Sequence, residues 1–218
     1  MRNSSIVLLL LLLPLGAHGQ QWTFGVYLDD KWIGTHRFTV ERDPPGDAVR
    51  MTSNADFKVT VMGIPVFRYH HAAAETWRGG CLESIDTETR VNGKQTALTG
   101  RRSESGFEVD VTSKDGQQRK ALPACVASYA YWDPDTLRAH RELLNGQTGA
   151  YQPVDQVLID APDRSLLELR GGDFQIDVSY ETGAGRWVAL HTTTADRRAL
   201  EYRLETPPPS EGLPLSRR

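Results

Sequence analysis

Two histidines and a glutamate stand out because they fall among residues that belong in a core. His36 alternates with Trp32, Gly34, Phe38 and Val40, and His71 and Glu75 alternate with Phe67, Tyr69 and Trp77. An ionisable group on a dry sheet face costs free energy unless it is paired or hydrogen-bonded, so each needs a reason. One reason is chemical. Imidazole and carboxyl groups move protons near neutral pH, and a trio converging on an open cleft would make an acid–base site. The other reason is plain: a core histidine beside a hydroxyl, and a glutamate paired near a sheet rim. The residues leave both readings open.

Metal and cofactor chemistry find less support. Four residues apart on a strand, His71 and Glu75 lie roughly 13 Å from each other, too far for one ion. His70 and His71 point to opposite faces of a strand. A metal held through His36 would need cross-strand partners that the sequence does not display. No glycine-rich phosphate loop or dinucleotide fingerprint is present, so no cofactor is assigned. Ser128, in Cys125-x-x-Ser128-Tyr129, has no Gly-x-Ser-x-Gly elbow around it.

The aromatic residues suggest binding. Phe57, Phe67, Tyr69 and Trp77 share the dry face that carries the histidines, and that face is longer than one short helix can cover. Together with His36, His71 and Glu75 they are candidates to line a site for a lipid or other apolar ligand. Tyr129, Tyr131 and Trp132 either anchor the next element onto the sheet or form a pocket mouth, since Tyr and Trp suit surfaces apolar at one end and wet at the other.

The elements that must position these residues are strands. Trp22 to Leu28 and Trp32 to Val40 alternate about Asp29-Asp30, which reads as a hairpin. Asp43-Pro44-Pro45-Gly46 makes the next turn. Val49 to Val61 alternates with one dry and one wet face, then Gly63-Ile64-Pro65 breaks the run. Asn92-Gly93 is the strongest hairpin signal. Later turns fall at 104–106, 115–116, 171–172 and 183–185, giving eleven to thirteen strands in meander order. One segment, 121–149, departs from this pattern. Asp133-Pro134 is an N-cap followed by proline at the first helical position, predicting a short helix over 136–144 that stops at Asn145-Gly146.

Residues 1–19 read as a secretory signal peptide: Arg2, the apolar run Ile6 to Leu13, then Ala17-His18-Gly19. No cysteine near that point offers a lipid anchor, and no later segment is apolar enough to span a membrane. The expectation is an exported, soluble protein of the periplasm or medium, not an integral membrane protein. The chain carries 25 basic and 28 acidic residues, a formal net charge of −3, which argues against nucleic acid and against electrostatic adhesion to anionic lipid. In an oxidising compartment Cys81 and Cys125 read as one disulfide. That bond would tie the strand after Trp77 to the start of the helical segment, and it marks that corner as the first place to expect a pocket. Residues 206–218, with Pro207-Pro208-Pro209, read as a disordered tail.

In combination, Tyr69-x-His71-x-x-x-Glu75-x-Trp77, Gly80-Cys81-Leu82, Tyr129-Ala130-Tyr131-Trp132-Asp133-Pro134 and Leu143 to Gly149 resemble an uncharacterised family of exported bacterial proteins, a domain of unknown function. The resemblance runs from about Gln21 to Glu205 and implies no activity or catalytic residue. At fold level the chain is similar to the half-barrel of periplasmic lipoprotein carriers of the LolA/LolB type, which implies an apolar ligand. It lacks the lipidation cysteine of the outer-membrane member. The expected architecture is therefore mainly β: one domain over 20–205, with a large antiparallel meander curled into a half or closed β-barrel and one short α-helix packed on or plugging it. The sequence assigns the oligomeric state no value.

Overall fold

A computed structural model describes residues 19–43, 48–183 and 185–206. The expected tail beyond Thr206, residues 44–47, Ala184 and all of the leader but Gly19 lie outside the described residues, while Thr206 and Gly19 themselves belong to strands. Period-two alternation becomes eight consecutive strands: β1 (Gly19–Leu28), β2 (Lys31–Arg42), β3 (Ala48–Val61), β4 (Ile64–Arg78), β5 (Cys81–Val91), β6 (Lys94–Ser103), β7 (Gly106–Ser113) and β8 (Gly116–Leu122). A second run follows the helical segment: β12 (Asp155–Asp160), β13 (Arg164–Arg170), β14 (Gln175–Glu181), β15 (Arg186–Thr193) and β16 (Ala199–Thr206).

These thirteen strands form one antiparallel sheet, ordered β12-β13-β14-β15-β16-β1-β2-β3-β4-β5-β6-β7-β8. Two meanders are thus joined where β16 pairs with β1, so both ends of the described chain meet in mid-sheet. The two outer strands, β12 and β8, do not pair, and the sheet stays open. Between them the chain leaves the sheet for β9 (Ala127–Ser128), α1 (Pro134–Ala139), β10 (Glu142–Leu144) and β11 (Tyr151–Pro153). The three short strands make a second, small sheet, which takes the total among the described residues to sixteen against the eleven to thirteen expected. Strands of two or three residues are too short to leave an alternation.

This excursion packs on the apolar face of the large sheet. Val126, Leu137, Leu143, Leu144 and Val154 share one buried cluster with Trp22, Trp77, Leu82, Phe107 and Trp187. The disulfide between Cys81 and Cys125 and the bond from Leu82 N–H to the Val126 carbonyl fix its entry. The N-cap expectation holds, with Asp133 accepting from Thr136 N–H. The helix, however, stops at Ala139 rather than reaching 144. His140 is extended and its Nε2 contacts the Gly80 carbonyl at 2.9 Å, while Gln156 donates to the Leu137 and His140 carbonyls that end the helix. Residues 142–144 instead pair with β9 and β11, which buries Leu143 and Leu144 together, on two sides of a strand.

Trp32 is the other correction. It is exposed, and Ile33 takes the buried place, because the β1–β2 register slips between Val26 and Tyr27. The extra residue of a β-bulge reverses which face each neighbour meets.

Candidate functional site

One row crosses the middle of the sheet. Phe24, His36, Ala55, His71 and Thr89 are successive cross-strand partners. His36 and His71 are therefore two strands apart, roughly 10 Å, with only the Ala55 methyl between them. His71 is buried and bonds Thr89 Oγ1 through Nδ1 at 2.8 Å. Burial, and then the nearby His70, push its pKa down to about 4. His36 stacks on Phe38 at 4.0 Å, its Nδ1 lies 3.4 Å from the Tyr202 hydroxyl, and its Nε2 is enclosed without a partner. Burial, and then His71, push it down to about 3. Both imidazoles are neutral at neutral pH.

Glu75 sits four residues further along β4, roughly 13 Å from His71. Trp77 Nε1 donates to its Oε2 at 2.9 Å and Ser128 Oγ donates to its Oε1 at 2.8 Å. Burial pushes it up to about 7, against the downward pull of those two hydrogen bonds. The three ionisable groups do not converge on one cleft. The histidines belong to the middle of the sheet, and Glu75 belongs to the contact with the excursion.

The aromatic candidates divide the same way. Phe57 and Tyr69 are cross-strand partners with rings stacked at 5.0 Å, and half-buried Phe67 follows on the same face. Trp77 meets Trp132 edge-on at 5.9 Å under the excursion. Tyr131 packs on Trp187 and Tyr129 on Phe174, so this block anchors the excursion. None of the three reaches Phe57 or Tyr69.

The opening lies at the Phe57–Tyr69 end. Pairing of β2 with β3 stops at Gly34 and Phe57. A Cβ on Gly34 would come 1.9 Å from the Asp56 carbonyl oxygen, so only glycine lets the strands approach there. Beyond that pair β2 follows β1 through the Ile33 bulge, while β3 continues with β4. The strands part around a cleft of about 790 Å³. Leu28, Ile33, Phe57, Val59 and Tyr69 give it apolar walls, and Lys31, Lys58, Arg68, Arg90 and Arg198 give it a cationic rim. Glu88 pairs with Arg90 and Asp29 with Arg198, and Asp56 meets His70 at 2.9 Å. Lys31, Lys58 and Arg68 have no carboxylate within ion-pair distance among the described residues.

The cleft is remote from the disulfide corner, where the sequence led us to expect it. Tyr69 and Trp77 are eight residues apart on β4, roughly 26 Å. No residue of the excursion lines it. Of the sequence candidates, the cleft holds Phe57 and Tyr69. Leu28, Ile33, Val59 and the cations were missed. A signal for them exists: β3 and β4 are longer than the strands that flank them, so their hairpin must outrun its neighbours.

The model of a family described as a domain of unknown function, DUF6134, matches residues 24–205. No curated protein matches the chain. Among solved structures, the crystal structure of a β-barrel-like protein of the domain of unknown function DUF1849 from Brucella abortus superposes with a TM-score of 0.53. The two are 8% identical, and the match covers 89% of this chain and 99% of that one. At that identity the likeness is one of fold.

Proposed function

Since this chain belongs to the DUF6134 family, a domain of unknown function, we propose its function from the cleft: it binds an amphipathic ligand with an apolar chain and an anionic head, such as a fatty acid or lipid. The observation that carries this is the union of apolar walls and cationic rim in a cleft of about 790 Å³, within the roughly 300–1,000 Å³ range of small-molecule sites. Phe57 and Tyr69 would take the chain. Arg68 and Lys31, lacking carboxylate partners among the described residues, would take the head. His36 and His71, neutral in mid-sheet, add no charge that would repel an apolar chain. The sequence of residues 1–19, read as a leader, supports assigning this binding to the bacterial envelope.

The rival reading is an interaction module with a filled core, which the single buried cluster joining the excursion to the sheet favours. Titration with the fluorescent fatty acid cis-parinaric acid separates the two. Saturable binding that Val59→Trp weakens about tenfold or more by filling the cleft supports the proposal. Arg68→Gln should weaken the fatty acid and leave the matching neutral alcohol unchanged. Absence of saturable binding, or equal binding by Val59→Trp, would overturn it.

A further inference from the structure

We propose that the tip of the β3–β4 hairpin docks onto an anionic lipid bilayer. The inference goes beyond the cleft: the apolar residues of the tip, Val61, Met62, Ile64 and Val66, do not line it, and only Lys58 and Arg68 are shared with its rim.

The tip projects past both neighbours. β2 leaves β3 at Phe57, and β5 pairs with β4 only as far as Tyr69. Residues 58–67 continue as a two-stranded finger. Its end is apolar on both faces: Met62 is 98% exposed, Ile64 66%, and Val61 and Val66 are more than half exposed. Large apolar side chains gathered at one projecting point mark an interaction site.

Turn chemistry does not demand this composition. Met62-Gly63 has φ values of 49° and 81°, and Asn92-Gly93 between β5 and β6 has the same two values. Asparagine is the residue such a turn favours, and a bulky side chain in left-handed backbone is uncommon. The chain uses asparagine at one tip and methionine, with greater strain, at the other.

Charge identifies the partner. Lys58 and Arg68 stand directly opposite each other across the finger, an arrangement that destabilises a sheet unless an anion lies between them. Lys58 lies four residues before Met62 and Arg68 four residues after Ile64, roughly 13 Å behind the tip. A tip entering the headgroup–acyl boundary by about 5–10 Å would bring them to the phosphates. The mild net charge of the whole chain conceals this local cluster.

The test is co-sedimentation of the whole protein with vesicles of phosphatidylglycerol and phosphatidylcholine, or of phosphatidylcholine alone. The proposal expects binding to the anionic vesicles, weakened by salt and by about tenfold or more in Met62→Asn/Ile64→Ser. Met62→Asn suits the turn, so an unchanged or raised Tm shows that the loss is not unfolding. Val59→Trp should still sediment, so a failed cleft and a failed tip are told apart. No sedimentation, equal sedimentation by the double variant, or equal binding to phosphatidylcholine overturns the proposal. So does a wild-type dimer that Met62→Asn converts to monomer, which would make the tip a protein contact.

Discussion

Ser128 donates its hydroxyl proton to Glu75 at 2.8 Å, so a carboxyl group inside the thirteen-stranded sheet is held by the short strand that crosses it. Glu75 thereby becomes a joint between the sheet and the excursion. This also explains why it lies so far from the histidines that share its strand face.

The joint makes stability depend on pH in a definite sense. Glu75 has a pKa of about 7 in the fold against an ordinary 4.5. Between those values the native state holds a proton that the unfolded chain has lost. Its contribution is fully present below about 4.5 and disappears as pH rises through about 7, on the order of 3 kcal/mol in all. Urea denaturation of wild type and Glu75→Gln from pH 5 to pH 8 should show their difference changing in that direction. A difference that does not move with pH contradicts the assignment.

The histidines act with the opposite sign. His36 and His71 fall to about 3 and about 4 from an ordinary 6.5. Below 6.5 the unfolded chain binds protons that the native protein does not, so stability is lost as pH falls toward 4. His71→Gln should reduce that slope by up to about 1.4 kcal/mol per pH unit. Read in the same denaturation series, an unchanged slope would show that His71 is charged or exposed in the fold.

The disulfide between Cys81 and Cys125 closes a loop of 44 positions. Chain entropy assigns it about 4 kcal/mol. Cys81→Ser/Cys125→Ser should lose about that much in ΔG of unfolding. Because the bond secures the excursion and not the cleft, parinarate affinity of the folded variant should remain. Loss of affinity at a temperature where the variant is folded would tie the cleft to the excursion.

Much of this architecture is legible in local sequence. Asn92-Gly93, Asp29-Asp30 and the alternation from Val49 to Phe57 specify hairpins and faces by themselves, and Asp133-Pro134 specifies where the helix starts. Features set by distant partners are not legible. Trp32 changes faces because a single bulge beside Gly34 shifts the register against β1. The helix ends early where Gln156 donates to the Leu137 and His140 carbonyls and the Gly80 carbonyl meets His140 Nε2, partners that lie well outside the helix in sequence. The meeting of β16 with β1 depends on pairing across the whole domain. The cleft follows from the first of these, since it opens where β2 follows β1 through the bulge and leaves β3 at Gly34 and Phe57. Its aromatic pair was visible as a pattern, and its location was not.

The most direct measurement is a crystal structure of the protein with oleate. The acyl chain should lie between β2 and β3 against Phe57, Val59 and Tyr69, with the carboxylate at Arg68 or Lys31. Oleate bound instead beneath the excursion near Trp77 and Trp132, or a cleft that stays free of oleate at saturating concentration, would contradict it.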